Sequence, residues 1–219
     1  MLVSTLIAIS LPLYAAFMNE RDQRAKNTKM VIVSVSRYIG NEILDNIIEI
    51  EDIVTNSEKS EEQLKTQANI SEAALKMAQV GIWSAAAEEL VVSLEDKQHQ
   101  GIVQSGLIAK VENNNVADGI RLSYQKMDNL IKRLRRFSKF CNMLLSPPEN
   151  MPKELFDYQL NENFTGGIKA VELDIKIFKN EASRTIKEIN KLLKPYGNEL
   201  KIEEYREDKE LPQTKDKID

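Results

Sequence analysis

The stretch that decides the fold is Ile39–Val54, IGNEILDNIIEIEDIV, in which apolar residues recur every three or four positions. This spacing puts the apolar side chains on one side of an α-helix, where other helices must cover them. Leu44 and Ile48 widen that apolar side. We therefore expect an amphipathic helix over about residues 28–54, ended by the polar pair Asn56-Ser57. The central stripe comprises Ile39, Ile43, Ile47, Ile50 and Val54.

Three more stretches keep the same spacing, over about residues 60–94, 116–145 and 152–193. The second is rich in small residues around Ala85–Ala87, which would let a second copy of the chain approach closely. Ser146-Pro147-Pro148 ends the third, because a residue before proline is pushed out of helical geometry. A break near Gly166-Gly167 would divide the fourth. The second stripe comprises Ile70, Ala74, Met77, Gly81, Ser84, Ala87, Val91 and Leu94. The third comprises Ile120, Tyr124, Met127, Ile131, Leu134, Phe137, Cys141 and Leu144. The fourth comprises Ile168, Val171, Ile175, Phe178, Ala182, Ile186, Ile189 and Leu193.

These patterns predict an all-α fold, with an N-terminal transmembrane helix followed by an antiparallel bundle of about four long helices. Only eight glycines and six prolines interrupt the 219 residues, which favours long helices over many short strands. We expect the bundle to cover residues 30–197. The segment Asp96–Asn115 fits either a short helix or a hairpin. Residues 198–219 form a charged tail that we expect to be disordered.

Residues 1–18, MLVSTLIAISLPLYAAFM, contain no charged side chain. As a helix they would extend roughly 27 Å, close to the thickness of a bilayer core. We therefore predict a transmembrane anchor. A cleaved signal peptide is one alternative, although the segment lacks the basic start that such peptides normally have. A buried or interfacial helix is another, because the segment is short for a span.

The charged juxtamembrane segment 19–29 predicts the orientation of this anchor. Basic residues follow the apolar segment and none precedes it, so the positive-inside rule puts the C-terminal domain in the cytoplasm and the N-terminus outside. The expected location is the plasma membrane, which is the inner membrane in a bacterium. The residues that set this topology are Arg21, Arg24, Lys26 and Lys29.

The sequence offers almost no catalytic chemistry. His99 is the only histidine and Cys141 the only cysteine, which excludes zinc clusters and the two Glu-x-x-His motifs of di-iron bundles. A Cys141–His99 nucleophile pair would need the cysteine to leave the apolar stripe of its helix. Phosphate-binding loop motifs are also missing. We predict a non-enzymatic protein without catalytic residues, metal ligands or a cofactor.

One basic cluster is the candidate binding site. The third helix carries seven cations between Arg121 and Lys139 against Asp128 alone. Such a surface suits anionic lipid headgroups or a nucleic-acid backbone. Alternatively, the cluster is simply solvated, or it pairs inside the bundle with the acidic stretch Glu42–Glu62. The candidate residues are Lys132, Arg133, Arg135, Arg136 and Lys139.

The expected function is that of a membrane-anchored interaction or scaffold module that binds a protein partner or a second copy of itself. A sensory or ligand-binding bundle on the outer side of the membrane is one alternative. A membrane-tethered, nucleic-acid-associated protein is another, and nucleic acid is the less favoured partner. Residues 1–18 would contact membrane lipid in the anchored form.

Overall fold

The computed structural model is all-helical, and the part of the chain that it describes contains no strand. It describes the backbone of residues 2–66, 71–109 and 114–203, and the side chains of residues 18–66, 71–94 and 115–203. A π-helical turn, Gln159–Asn163, joins α4 to α5 without a break in helical geometry, so four long rods result. The helices are α1 (Leu2–Lys65), α2 (Glu72–Ala109), α3 (Asn114–Leu145), α4 (Lys153–Tyr158) and α5 (Phe164–Leu193).

Helix α1 joins the predicted anchor, the charged segment and the first bundle helix into one 64-residue helix. It does not stop at Asn56-Ser57, where the sequence predicted an end. The Ser57 hydroxyl donates to the carbonyl of Ile53 at 2.8 Å, and the Ser60 hydroxyl donates to the carbonyl of Asn56 at 2.8 Å. These polar groups are satisfied by their own helix, so they do not compete with its hydrogen bonds.

The second helix is displaced along the sequence from its predicted position. The Ser71 hydroxyl accepts a hydrogen bond from the amide of Ala74 at 3.3 Å, the arrangement of a helix N-cap, and α2 begins at the next residue, Glu72. At its other end, α2 continues to Ala109. Most of the segment Asp96–Asn115 is therefore helical, and the predicted alternative of a hairpin is wrong for residues 96–109.

The bundle is antiparallel, and each rod packs against the rods before and after it in a closed ring. Between α2 and α3, Ser84 contacts Asn142 and Glu88 contacts Ser138, so the numbers rise on one helix as they fall on the other. The same reversal relates Ser123–Thr185 to Arg133–Asp174 between α3 and α5. Helices α1 and α3 consequently lie diagonally opposite and run parallel.

The core contains most of the predicted stripes. Every predicted stripe residue of α3 is buried, and those of α5 are buried except Ile168, which packs at the edge. Ile48 of α1 is 37 % exposed, so it does not widen the apolar side as predicted. In α2, Ala74 is exposed. That helix instead buries a broader face that includes Val80, Trp83, Ala86, Ala87, Leu90 and Leu94.

The C-terminal segment folds back onto the bundle. Residues Asn198–Leu200 form a 3-10 turn, and Ile202 is 2 % exposed. The Asn190 side chain donates to the carbonyl of Ile202 at 3.0 Å and accepts from its amide at 2.8 Å. The tail predicted to be disordered is thus ordered over residues 198–203. Residues 204–219 lie outside the described residues.

Residues 19–31 of α1, which we call the stalk, are all exposed, because α1 extends beyond the bundle there. At 1.5 Å per residue the stalk is about 20 Å long. Among the residues whose side chains are described, no helix is both long and apolar enough to cross a membrane. Residues 1–17, nearly all of the predicted anchor, lie outside that set, and the anchor gains no support from the structure.

Asn46 is a polar residue in the centre of the core, 1 % exposed. Its amide nitrogen lies 3.8 Å from the sulfur of Met127, and its Oδ1 has no hydrogen-bond partner.

An unsatisfied buried polar atom costs about 1–3 kcal/mol. Asn46→Leu should therefore raise the melting temperature by roughly 2–12 °C, as measured by circular dichroism. Asn56→Leu, on the exposed side of the same helix, is the control. A lower melting temperature for Asn46→Leu would contradict this account.

The adjacent glycines Gly166 and Gly167 lie inside α5, which is not broken there. A Cβ at Gly166 would meet open space, whereas one at Gly167 would lie 2.8 Å from two ring carbons of Phe137. That ring cannot easily move, since it stacks on Phe164 with centroids 5.9 Å apart.

This pair generates opposite predictions for the same substitution. Gly166→Ala should raise the free energy of unfolding by about 0.5–1 kcal/mol, because alanine favours helix. Gly167→Ala should lower it by about 1–3 kcal/mol through overpacking. Urea denaturation measures both. Equal effects of the two substitutions would show that the α3–α5 packing described here is incorrect.

Candidate functional site

The five candidate cations lie on the outer side of α3, which we call the basic ridge, and all five are exposed. Arg133 leans towards α5, where its Nε donates to Asp174 at 2.8 Å. Lys132 pairs with Asp128 one turn earlier on α3. Arg136 and Lys139 have no hydrogen-bond or ion-pair partner among the side chains that the structure describes. The ridge therefore keeps uncompensated positive charge. Its members are Lys132, Arg133, Arg135, Arg136 and Lys139.

The predicted pairing of this ridge with the acidic stretch of α1 is wrong, because α1 and α3 are diagonal in the bundle and the ridge faces outward. The acidic side chains of α1 have other roles. Glu42 accepts a hydrogen bond from the hydroxyl of Tyr124 at 2.6 Å. Glu51 pairs with Lys179 of α5, and both side chains are largely buried. The α1 carboxylates thus join α1 to its neighbours and to the core tyrosine.

A polar network between α2 and α3 fixes the rotation of α3 about its own axis, and therefore the direction in which the basic ridge faces. Glu88 accepts hydrogen bonds from Asn142 at 3.0 Å and from the hydroxyl of Ser138 at 2.9 Å. The Asn142 carbonyl oxygen in turn accepts from Ser84 at 3.1 Å. The hydrogen bonds from Asn142 and Ser138 lower the pKa of Glu88, so it carries its charge at neutral pH. This network holds one side of α3 against α2 and leaves the cations outside.

A second carboxylate, the partly buried Glu61, ties α1 to α2. Partial burial by itself would raise its pKa, but hydrogen bonds from Lys65, Trp83 and Gln79, with the charge of Lys65, outweigh burial and lower the pKa. The indole nitrogen of Trp83 lies 3.2 Å from one carboxylate oxygen, and the amide of Gln79 lies 2.7 Å from the other. A carboxylate whose oxygens are occupied in this way is structural.

The one cysteine is unsuited to nucleophilic chemistry. Cys141 is fully buried in the core, and burial raises the pKa of its thiol to about 12. The thiolate is the reactive form, so the thiol is inert at neutral pH. The side chain of His99, its hypothetical partner, lies outside the described residues. Among the described residues, no group of three or more His, Cys, Asp or Glu side chains is arranged to hold a metal ion.

The small-residue face proposed for self-association is only partly available. Ala86 and Ala87 are buried in the bundle core, whereas Ala85 is exposed. The residues predicted to set topology are all exposed, and Arg24 forms an ion pair with Glu20 one turn earlier. Those residues are Arg21, Arg24, Lys26 and Lys29.

The structure reveals a second basic site that the sequence analysis missed. A groove of about 480 Å³ lies along the C-terminal part of α5 and the turn after it, and we call it the cationic groove. A signal was present in the sequence, since four cations recur at helical spacing in α5 and the residue after it. The five cations that line the groove are Arg184, Lys187, Lys191, Lys194 and Lys201.

Comparison of the chain with protein-family models, with curated proteins and with solved structures gives no match.

Proposed function

We propose that this protein is a non-enzymatic, single-pass membrane protein whose cytoplasmic bundle docks an acidic surface of a protein partner. The observation that carries this proposal is the continuity of α1 from Leu2 to Lys65. One helix contains the apolar N-terminal segment, the exposed stalk and a full rod of the bundle. An anchor at residues 1–18 would therefore hold the bundle on a stiff connection rather than on a loose linker.

The basic residues of the stalk support the cytoplasmic orientation. Arg21, Arg24, Lys26 and Lys29 immediately follow the apolar segment, and they are exposed rather than used inside the bundle. Basic residues within a few turns of a span are the ones that set orientation. The alternative of an external sensory bundle requires the opposite arrangement.

The position of the basic ridge along the bundle favours a soluble partner over the bilayer. Tyr124 lies level with Glu42, and Met127 lies level with Asn46 on the parallel helix α1. Residues 132–139 are therefore level with about residues 50–57 of α1. On an upright helix this is roughly 50 Å beyond residue 18. Electrostatic attraction to headgroups decays over about 8 Å at physiological salt, so the ridge is far outside their reach.

The charge of the ridge favours an acidic protein surface. Arg136 and Lys139 project from a rigid helix, while Arg133 and Lys132 are partly neutralised by Asp174 and Asp128. Because few cations of the ridge are available, they would neutralise few phosphates. Nucleic-acid affinity depends steeply on the number of phosphates that a protein neutralises. In a protein–protein interface, a few charges on a rigid helix orient the bound partner and select partners of opposite charge.

Charge reversal on the ridge tests this proposal in membranes of the source cell. A photo-crosslinking residue replaces Gln125, which is exposed on the same side of α3. We expect one discrete acidic protein to be captured. The double substitution Arg136→Glu and Lys139→Glu should lower the crosslinking yield about tenfold, because like charges would then face each other.

The matched control is Lys169→Glu with Lys176→Glu, which makes the same charge change on exposed positions of α5. Its yield should stay at the wild-type level. Equal losses for both variants would contradict a specific ridge interface. Crosslinks to nucleic acid that disappear with rising salt would favour the nucleic-acid hypothesis instead.

A further inference from the structure

The cationic groove lies at the end of the bundle from which the stalk emerges. Gly40 of α1 packs beside Ile189 of α5, so the last turns of α5 are level with the first bundle-covered turns of α1. The groove is lined by α5 from Arg184 onward and by the turn that follows it. Its site is therefore separate from the basic ridge, which lies on α3 towards the opposite end.

The cations of this groove exceed what their neighbours neutralise. Lys191 pairs with Glu188 at 2.7 Å, and Arg184 lies 4.0 Å from Glu181. Lys187 and Lys194 have no ion-pair or hydrogen-bond partner among the described side chains. Of the carboxylates, Glu188 lines the groove and Glu199 lies beside Gly197 at its rim. Glu181, Glu188 and Glu199 thus offset part of the charge, Lys201 has a partner of its own, and Lys187 and Lys194 carry the uncompensated charge of the groove.

The dipole of α5 explains only part of this clustering. Cations near a helix C-terminus are stabilised, but the effect falls off within the last turn. It accounts for Lys191 and Lys194. It does not account for Arg184 and Lys187, which precede the last turn, or for Lys201, which approaches from the returning chain. Like charges held together in this way favour an anion between them.

The wall of the groove opposite α5 is fixed in place. Gly197 has a φ of +132°, a conformation that other residues rarely adopt, and it turns the chain back along α5. Asn190 then binds both backbone groups of Ile202, whose side chain is buried against Gly40. Asn198 and Lys201 are thereby held across the groove from Lys187 and Lys194. A site with fixed walls loses less entropy when it binds a ligand.

We propose that the cationic groove binds a phosphorylated anion, through Lys187, Lys194 and Lys201, with Asn198 as a further donor. Its volume of about 480 Å³ exceeds that of a single phosphate and matches a small phosphorylated molecule. Lysine ammonium groups recognise phosphate oxygens as point charges. This proposal goes beyond the docking function and does not require the anchor.

Isothermal titration calorimetry on the full chain in detergent, with inorganic tripolyphosphate as the probe at physiological salt, tests the site. Wild type should bind one tripolyphosphate per chain. Lys187→Ala with Lys194→Ala should weaken binding about tenfold, and Lys187→Arg with Lys194→Arg should retain it. The matched control is Lys169→Ala with Lys176→Ala, which removes the same charge from exposed positions of α5 outside both basic sites and should leave the affinity unchanged.

Two results would overturn the proposal: no binding by wild type, or equal weakening by the groove variant and the Lys169→Ala with Lys176→Ala control, which would show attraction to net charge alone. The source of the phosphate is distinguished by reconstituting the full chain in nanodiscs. Because the groove is level with about residue 40 of α1, roughly 33 Å beyond residue 18 on an upright helix, phosphatidic acid in the disc should leave tripolyphosphate binding unchanged relative to phosphatidylcholine alone, and weaker binding would instead indicate a lipid headgroup in the groove. An unchanged affinity in both discs identifies a soluble phosphorylated ligand.

Discussion

The continuous helical backbone of α1 after Pro12, whose missing N–H removes one helical hydrogen bond near the N-terminus, is the constraint on which the rest of this structure depends. From Leu13 to Ile39 the chain has neither proline nor glycine, and the stalk adds an ion pair between Glu20 and Arg24 at helical spacing. The helix can therefore continue through a region where nothing packs against it. The stalk and one of the four rods of the bundle therefore share one continuous helix.

The bundle is held in register by polar contacts between apolar layers. Tyr124 and Glu42 connect the diagonal helices, and the burial of Tyr124 together with this hydrogen bond raises the pKa of its hydroxyl, which therefore stays protonated. The network around Glu88 fixes α3 against α2, and the pair Glu51–Lys179 fixes α1 against α5. These contacts determine which side of each helix faces outward. They therefore leave the cations of the basic ridge and of the cationic groove on the surface.

The sequence predicted the helices whose apolar stripes were regular and whose ends carried strong signals. Helix α3 begins within two residues of its expected start and ends before Ser146-Pro147-Pro148 as expected. The α1–α2 boundary was misplaced because Asn56 and Ser57 were interpreted as helix breakers, whereas Ser57 bonds to its own helix. Local polarity does not reveal which carbonyl a serine will bind.

Features that depend on contacts between helices were harder to predict from the sequence. The ridge was predicted from local charge alone and is indeed exposed. Its predicted pairing with α1 failed because sequence does not specify which helices are diagonal. The groove requires a glycine turn and the capture of Ile202 by Asn190, and these bring Lys201 beside residues that precede it by about ten positions. The position of Lys201 in the groove depends on tertiary structure. The spacing of the cations in α5, by contrast, already indicated that they lie on one side of that helix.

Topology is the most direct test of the central claim that α1 crosses the membrane and holds the bundle in the cytoplasm. The measurement is labelling of intact cells with an impermeant maleimide at Ser4→Cys and, separately, at Thr214→Cys, in a Cys141→Ala background. The account predicts labelling at position 4 and protection at position 214 until the cells are lysed. Labelling at position 214 in intact cells would contradict it, because the bundle would then lie outside.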